Sequence, residues 1–476
     1  TIDRLQQLTG LKVRPVLALG SDIEEYIAKF RGGGGGASTA AGNVDAFLSS
    51  LSESDVQVVD KEAVDEIAFA DLEQMVEGSP IINLVNVALL KAIHDGASDI
   101  HVEPDRKGTR IRYRVDGVLR DLMKPPPGMH ASIASRVKVI AKMDIAEKRL
   151  PQEGRIRIVA EGREIDLRVS SIPTLLGEKL VMRILDKQNL NTKMEDLGFR
   201  AEPLDVFMRM LRQPHGLVLV TGPTGSGKTT TLYSALDLLR SPQRNIVTVE
   251  DPVEYQLELI NQIQVQDAVG MTFARALRSI LRQDPDIIMV GEIRDAETAR
   301  VAVQAALTGH LVLATLHTND ACAAVARLLD MGIEPYLLSG ALTCVVAQRL
   351  ARTLCPSCAT KYYPDAQVLE EAGIPGEKGR VFRRGAGCDA CHNSGFKGRL
   401  GVYEVVATNA EMRRLITAAA PTHELRAAAG RAGVLSLREE GVRVAMAGRT
   451  ALEEVLRVTQ MDDDGAEARR ESGVAA

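Results

Sequence analysis

Between residues 222 and 229 the chain reads Gly-Pro-Thr-Gly-Ser-Gly-Lys-Thr, the pattern G-x-x-x-x-G-K-[ST] of a loop that cradles phosphate groups. Each residue type has a task there. Glycines let the backbone curl until successive N–H groups converge on phosphate oxygens, and the start of the following helix adds partial positive charge. The expected phosphate-binding set is Gly222, Pro223, Thr224, Gly225, Ser226, Gly227, Lys228, Thr229 and the next residue, Thr230. Lys228 is expected to reach the terminal phosphates of a nucleotide, and the Thr229 hydroxyl a Mg²⁺ ion. A glycine-rich turn with an incidental lysine is the alternative. The context speaks against it, because the apolar run Leu217–Val220 precedes the loop and Leu232, Leu236 and Leu239 follow at helical spacing.

A phosphate cradle does not by itself hydrolyse anything; acids are needed. Glu250, Asp251 and, closely after, Glu254 follow the β-rich run Ile246–Val249, and Gly291-Glu292 follows Ile287–Val290. In an open parallel sheet such acids lie at the carboxyl ends of strands, where ligands bind. Glu250 and Glu292 are therefore the candidate carboxylates for the attacking water and for Mg²⁺, and surface acids at strand ends are the alternative. His310 and His317 border the next run, Leu311–Ala314. A γ-phosphate-sensing role and an ordinary structural role are both open for this pair.

Cys355-x-x-Cys358 and Cys388-x-x-Cys391 form two thiol pairs. Each C-x-x-C can grip one edge of a metal, and two complete a tetrahedral thiolate site suited to Zn²⁺. The gap between them exceeds the ~15–20 residues of an ordinary zinc ribbon, so residues 359–387 must make a small excursion. Gly385, Gly387 and Gly395 suit tight knuckle turns. Disulfides are the alternative, disfavoured in a cytoplasmic setting. Cys322 and Cys344 stand alone and are expected in the core.

The elements that must position these groups follow from pattern and composition. The chain has 476 residues, 58 Lys+Arg against 63 Asp+Glu for a net charge of −5, 45% apolar and 25% charged residues, 3% aromatics and no Trp. Global disorder is excluded, and the near balance of charge argues against a chain held to nucleic acid or an anionic bilayer by bulk charge, with a local basic patch still open. Aromatics are too sparse for a base-stacking platform. No apolar run has the length of a membrane span, Thr1–Gly20 carries no export signal, and the cytoplasm is the default. The chain opens on Thr1 without an initiator Met, so residues preceding it are expected.

Residues 1–31 read as the end of a small domain. Gly32–Gly36 opens a flexible linker over 32–61. An α+β unit is expected over 62–190. Ser79-Pro80 starts its helix and Gly96 stops it, with Ile81, Ile82, Val85, Leu89, Leu90 and Ile93 on one face. Two hairpins follow, Arg110–Val115 turning at Asp116-Gly117, and Arg155–Val159 with Glu164–Val169 turning at Glu161-Gly162. Over 191–460 the four buried strand runs alternate with helical patterns, which predicts an α/β domain with a parallel sheet. The cysteine subdomain is expected near 352–400, and residues 461–476 read as a disordered tail.

Four segments together carry a resemblance: Gly222–Thr229, the acid box Thr248-Val-Glu-Asp-Pro-Val-Glu-Tyr255, the run Arg282-Gln-Asp-Pro-Asp-Ile-Ile-Met-Val-Gly-Glu-Ile-Arg-Asp295, and Thr308-Gly-His-Leu-Val-Leu-Ala-Thr-Leu-His317. They resemble the signature boxes of secretion ATPases, which power type II secretion, type IV pili and related machines. The likeness covers most of residues 63–460. It is strongest to the type II secretion ATPases of the general secretion pathway, through Ala146–Arg155, Val345–Leu350 and Glu453–Thr459. The N-terminal piece resembles the end of the domain through which those ATPases meet an inner-membrane partner.

The resemblance implies a homo-hexameric RecA-like P-loop motor using ATP and Mg²⁺. Its α+β N-terminal domain would cover the nucleotide, and its tetra-cysteine subdomain would hold Zn²⁺. By the same likeness Arg168 and Arg183 reach the triphosphate. Arg278, Arg282, Arg294 and Arg327 match family arginines at the nucleotide or between subunits. Period-two alternation independently sets Arg168 on the polar strand face, away from Leu167 and Val169; solvated strand arginines are the alternative. Glu250 is implied as the residue that orients or deprotonates water and Glu292 as the Mg²⁺ handler, with the two roles exchangeable. The implied partners are an inner-membrane protein with a cytoplasmic docking domain and a polytopic platform protein. Location is then cytoplasmic, peripheral at the inner membrane through those partners. A type IV pilus extension ATPase, a hexameric nucleic-acid motor and a nucleotide-gated component with negligible turnover are the alternatives. The charge balance and sparse aromatics argue against nucleic acid, and the acid boxes against the last.

Overall fold

A computed structural model of the chain describes residues 56–58, 80–126, 128–160, 163–186 and 193–459. The expected N-terminal domain remnant, the Gly32–Gly36 tether, the Ser79 cap, the Glu161-Gly162 turn and the tail after residue 460 lie outside them.

The N-terminal unit is a seven-stranded antiparallel sheet. Its strands are β1 (Val56–Val58), β2 (Asp99–Asp105), β3 (Gly108–Val115), β4 (Val118–Met123), β5 (Gln152–Ala160), β6 (Arg163–Thr174) and β7 (Gly177–Asp186). They lie in the order β1-β5-β6-β7-β2-β3-β4. One face is apolar. Ile100, Val102, Ile111, Ile156, Ile158, Leu167, Val169, Leu180 and Met182 pack there against α1 (Pro80–His94) and α2 (His130–Ile140). Helix α1 starts on the expected Pro80, and Gly96 takes the left-handed φ of +66° just past its end. The hairpin turn has Asp116 at φ +49° and Gly117 at φ +80°, the double positive φ that selects Asp-Gly in a two-residue turn. One expectation fails here. Residues 56–58, assigned to the linker, form β1, which pairs with β5 from Val56↔Ala160 to Val58↔Ile158. Pairing satisfies backbone groups that β5 would otherwise expose on that edge, and three residues are too few to show a period.

The second sheet also has seven strands. These are β8 (Gly216–Thr221), β9 (Ile246–Glu250), β10 (Ile260–Gln264), β11 (Ile287–Val290), β12 (Leu311–Leu316), β13 (Leu342–Leu354) and, later in the chain, β16 (Phe396–Ala407). Their order is β10-β9-β11-β12-β8-β13-β16. All pairs are parallel except β13–β16. The four runs expected as central strands are all strands, and both of their faces are covered. Leu217 and Leu219 belong to one core with α5 (Phe273–Ile280), α6 (Ala296–Leu307) and α7 (Ala321–Asp330). Val218 and Val220 belong to the other, with α3 (Ala201–Leu211) and α4 (Lys228–Leu239). Cys322 and Cys344 are buried there as expected. The architecture is the expected mixed α/β one with a parallel-rich sheet.

Past β13 the chain makes a small excursion of β14 (Ala359–Tyr362), the helix Ala366–Glu371 and β15 (Phe382–Gly385), returning through the second cysteine pair. Gly387 and Gly395 take φ +91° and +75°, and a Cβ on Gly385 would meet Gly395 O at 2.1 Å. Just past this knuckle, the start of β16 touches the N-terminal sheet, where the Gly398 N–H donates to Asp116 Oδ2 at 2.9 Å and Arg399 lies 3.6 Å from Oδ1.

Candidate functional site

Strand β8 delivers the chain into the phosphate loop, where Gly222, Gly225 and Gly227 take φ of +152°, +80° and +88°. Glycine is also required sterically, since a Cβ on Gly222 would lie 2.6 Å from Gln348 O. Gln348, buried on β13, holds the loop from below. Its Nε2 donates to Ser226 O at 2.5 Å, and its Oε1 accepts from Thr231 Oγ1 at 2.8 Å. The Ser226 hydroxyl is buried and has no hydrogen-bond partner among the described residues. Lys228 opens α4 and folds back, donating to Gly222 O at 2.8 Å and Pro223 O at 3.2 Å. Burial, aided by the Arg349 guanidinium and opposed by Glu292, lowers Lys228 to about 8. An orphaned buried hydroxyl and a lysine whose hydrogen bonds go to backbone carbonyls fit an incoming phosphate. Thr229 is exposed at the helix start, and Thr230 O accepts from Ser234.

The two glutamates come from adjacent strands, β9 and β11, with Val249 opposite Val290 in register. Gly291 is needed because a Cβ there would meet Glu250 Cα at 3.2 Å. The environments of the two acids differ. Glu292 pairs with Arg294, which also reaches Asp251 at 3.2 Å, and His317 Nε2 lies 3.4 Å from Glu292 Oε2. Glu250 is 3% exposed and receives uncharged donors, from Thr248, Gln262 and Tyr233. Burial raises its pKa despite those hydrogen bonds.

Arg168 reaches over from the N-terminal sheet. Its guanidinium donates to Val253 O at 2.7 Å and pairs with Glu254 at 3.1 Å, inside the acid box. Register sets Arg183 directly across from Arg168, on the same face, with Asp99 beyond it at 3.0 Å. Arg155 and Arg114 extend the same row. Among the four further arginines, Arg294 is in the site. Arg278, Arg282 and Arg327 are exposed, with Arg278 paired to Glu297.

His310 is the residue that the structure does not bring in. It precedes β12, its carbonyl accepts from Gly216 N at the start of β8, and its ring contacts Ala305 O at 3.0 Å. The phosphate loop leaves the far end of the parallel pair, and a six-residue strand at ~3.3 Å per residue separates the two ends by ~20 Å. A γ-phosphate sensor cannot sit there, whereas His317, past the other end, reaches Glu292.

Gln348, Tyr233, Asp99 and Arg155 escaped the sequence reading. A polar pair, Gln348-Arg349, inside the otherwise apolar stretch Cys344–Ala351 of β13 is the available signal for the first.

The four cysteine sulfurs lie within 4.8 Å of one another, with Cys355–Cys388 and Cys358–Cys391 at 3.8 Å and Cys388–Cys391 at 3.7 Å. A disulfide needs ~2.05 Å. A tetrahedron with Zn–S bonds of ~2.3 Å has edges of about 3.8 Å, so the spacing fits a metal. The N–H groups of Cys388 and Gly395 donate to Cys391 Sγ at 3.3 and 3.2 Å. Against the effect of burial, they favour its thiolate.

The model of the family described as type II/IV secretion system protein matches residues 74–457. The chain is 48% identical over 467 residues to the type IV pilus assembly ATPase PilB of Myxococcus xanthus, covering 97% of this chain and 80% of that protein. It is 52% identical over 415 residues to the type II secretion system protein HxcR of Pseudomonas aeruginosa, covering 87% and 85%. To the type II secretion system ATPase E of Vibrio cholerae it is 50% identical over 390 residues, covering 82% and 77%. Among solved structures, the pilus retraction motor PilT with bound ADP superposes with a TM-score of 0.55 at 25% identity, covering 79% of this chain and 97% of PilT. The ATPase DotB of Legionella pneumophila, at 20% identity and a TM-score of 0.58, shares the fold over 78% of this chain and 94% of its own.

Proposed function

The chain belongs to the type II/IV secretion system protein family and is an ATP-hydrolysing enzyme, and from that premise we propose that it is the motor of a type II secretion system. It couples ATP hydrolysis to pseudopilus assembly and to export of folded proteins across the outer membrane. It works as a hexamer at the cytoplasmic side of the inner membrane. Partner proteins hold it there: one with a cytoplasmic docking domain and a polytopic platform protein. No helix among the described residues is long and apolar enough to cross a membrane, which agrees with attachment through partners.

The observation that carries the reading is the meeting of a phosphate loop with two carboxylates from adjacent strand ends. The loop N–H groups and Ser226 would bind phosphate oxygens, and Lys228 would exchange its contacts with Gly222 O and Pro223 O for the terminal phosphates. Thr229 and Glu292 would hold Mg²⁺, which when bound neutralises charge on the phosphoryl oxygens. Glu250 would orient the water and accept its proton, a task for which a carboxyl raised by burial is suited. Arg168 and Arg183, carried on the other sheet, would complete the charge as the sheets approach. The cysteine site would hold one Zn²⁺ per chain as a structural metal, and elemental analysis of protein purified without chelators checks that.

The Glu292→Gln variant should bind ATP without turning it over, and hydrolysis at the parental rate would remove Glu292 from the chemistry. The match to PilB over 97% of the chain supports a second reading, a type IV pilus extension motor with the same chemistry. Copurification with the cytoplasmic domain of a secretion-platform partner, compared with its pilus counterpart, separates the two.

A further inference from the structure

Tyr233 lies in the second turn of α4, 1% exposed, with its ring edge-on to Tyr255. Phenylalanine would fill that volume equally well. The hydroxyl is what distinguishes it: it donates to Glu250 Oε2. Thr248 Oγ1 and Gln262 Nε2 occupy the other carboxylate oxygen at 2.5 and 3.1 Å. The tyrosine oxygen in turn accepts the Glu254 N–H at 3.3 Å, and the Glu254 side chain pairs with Arg168 of the N-terminal sheet. The contacts form one line: Arg168, Glu254, Tyr233, Glu250.

We propose that Tyr233 is a positioning residue for ATP hydrolysis, fixing the Glu250 carboxylate and linking its placement to the contact that Arg168 makes with the acid box. The proposal rests on the reading of Glu250 as the group that handles the water. Tyr233 keeps its proton, since burial and the neighbouring carboxylate both push its ionisation upward; it orients and does not exchange. The groups around Glu250 are Tyr233 from α4, Thr248 from its own strand, Gln262 from β10, and Glu254 and Tyr255 from the acid-box loop; Asp251, next in the chain, is paired with Arg294. Burial and the Glu254 charge push the Glu250 proton affinity up, and the three hydrogen bonds pull it down. Removing one donor therefore moves ionisation of Glu250 to higher pH.

The test is ATP turnover by the full chain across pH, with nucleotide binding measured separately. Tyr233→Phe is expected to leave ATP affinity within about twofold, since it touches no phosphate. It should lower kcat about tenfold or more, the effect of one hydrogen bond to a charged group, and shift the acid limb of the kcat profile to higher pH. Replacing Tyr233 by 3,5-difluorotyrosine keeps the packing and strengthens the donor, so the limb should move to lower pH. Arg168→Ala and Tyr233→Phe combined should cost less than the product of the two effects. An unshifted limb in both tyrosine variants, or independent effects in the double variant, overturns the proposal. Loss of binding and stability together in Tyr233→Phe, with no limb shift in the fluorinated chain, shows a merely structural tyrosine and overturns it as well. Undiminished turnover by Glu250→Gln would instead overturn the reading of Glu250 itself, whatever Tyr233 does.

Discussion

In the motor half, β8, β9, β11 and β12 are buried on both faces, whereas β6 and β7 in the other half bury one face and leave arginines on the other. Each sheet has seven strands, so size does not separate them; strand direction does. Parallel strands need crossover helices, which cover both faces and leave the carboxyl ends as open ground. Thr221, Glu250, Val290 and Leu316 end their strands there, and the phosphate loop, Glu292 and His317 follow. Antiparallel hairpins leave a face free, and there cross-strand register lines up Arg155, Arg168, Arg183, Asp99 and Arg114. On the proposed reading, one sheet would offer its ends to the reaction and the other its side. A triphosphate between them would be gripped by a fixed cradle and approached by a movable one.

That division breaks if the two sheets cannot be separated by substitution. The largest effect is expected from Lys228→Ala, a loss of about 10³-fold in kcat/KM with nucleotide binding weakened too, read by phosphate release and by binding of a fluorescent ATP analogue. The same lysine sets a pH signature. Held at about 8 without nucleotide, it is charged below that pH and loses its proton above it. ATP binding above pH 8 should therefore take up a proton and weaken, seen by calorimetry in buffers of different ionisation enthalpy. Next come Leu167→Ala and Leu219→Ala, both fully buried. Each should cost about 3 kcal/mol of stability in denaturant unfolding, because the two cores are alike whatever their strands offer to chemistry. Arg168→Ala should lower kcat by about tenfold or more with ATP affinity little changed. A fall in affinity as large as that of Lys228→Ala would place Arg168 in the fixed cradle and spoil the contrast. Smallest of all is His310→Ala, expected within about twofold of the parent in turnover, against a several-fold loss for His317→Ala.

Much of the motor was legible because its signals are local. A run of apolar β-formers announces a strand buried on both faces, and the loop pattern and the paired C-x-x-C spell out their own chemistry. Arg168 needed only a period of two to be set on the polar face. Distance along the fold was harder. His310 and His317 look equivalent as a pair bordering one strand, yet only the end shared with the phosphate loop is near the site. The roles of Gln348 and Tyr233 depend on partners far off in the chain, Ser226 for one and Glu250 for the other. No spacing rule carries that information. Val56–Val58 reads as linker in the sequence because a strand of three residues is defined by the edge that it meets.

Gln348 grips the phosphate loop from the middle of β13, and Cys355 follows directly on that strand's last residue. Seven residues of extended chain span about 23 Å, paired with β16 from Gln348↔Tyr403 to Arg352↔Arg399 and, past a register shift, at Leu354↔Phe396. Backbone that is already extended cannot lengthen, so the segment ties the cradle to the cysteine site. The start of β16, which pairs with this segment, abuts Asp116 of the N-terminal sheet. These contacts join the pocket to the arginine-bearing half by a second route, one that bypasses the phosphates.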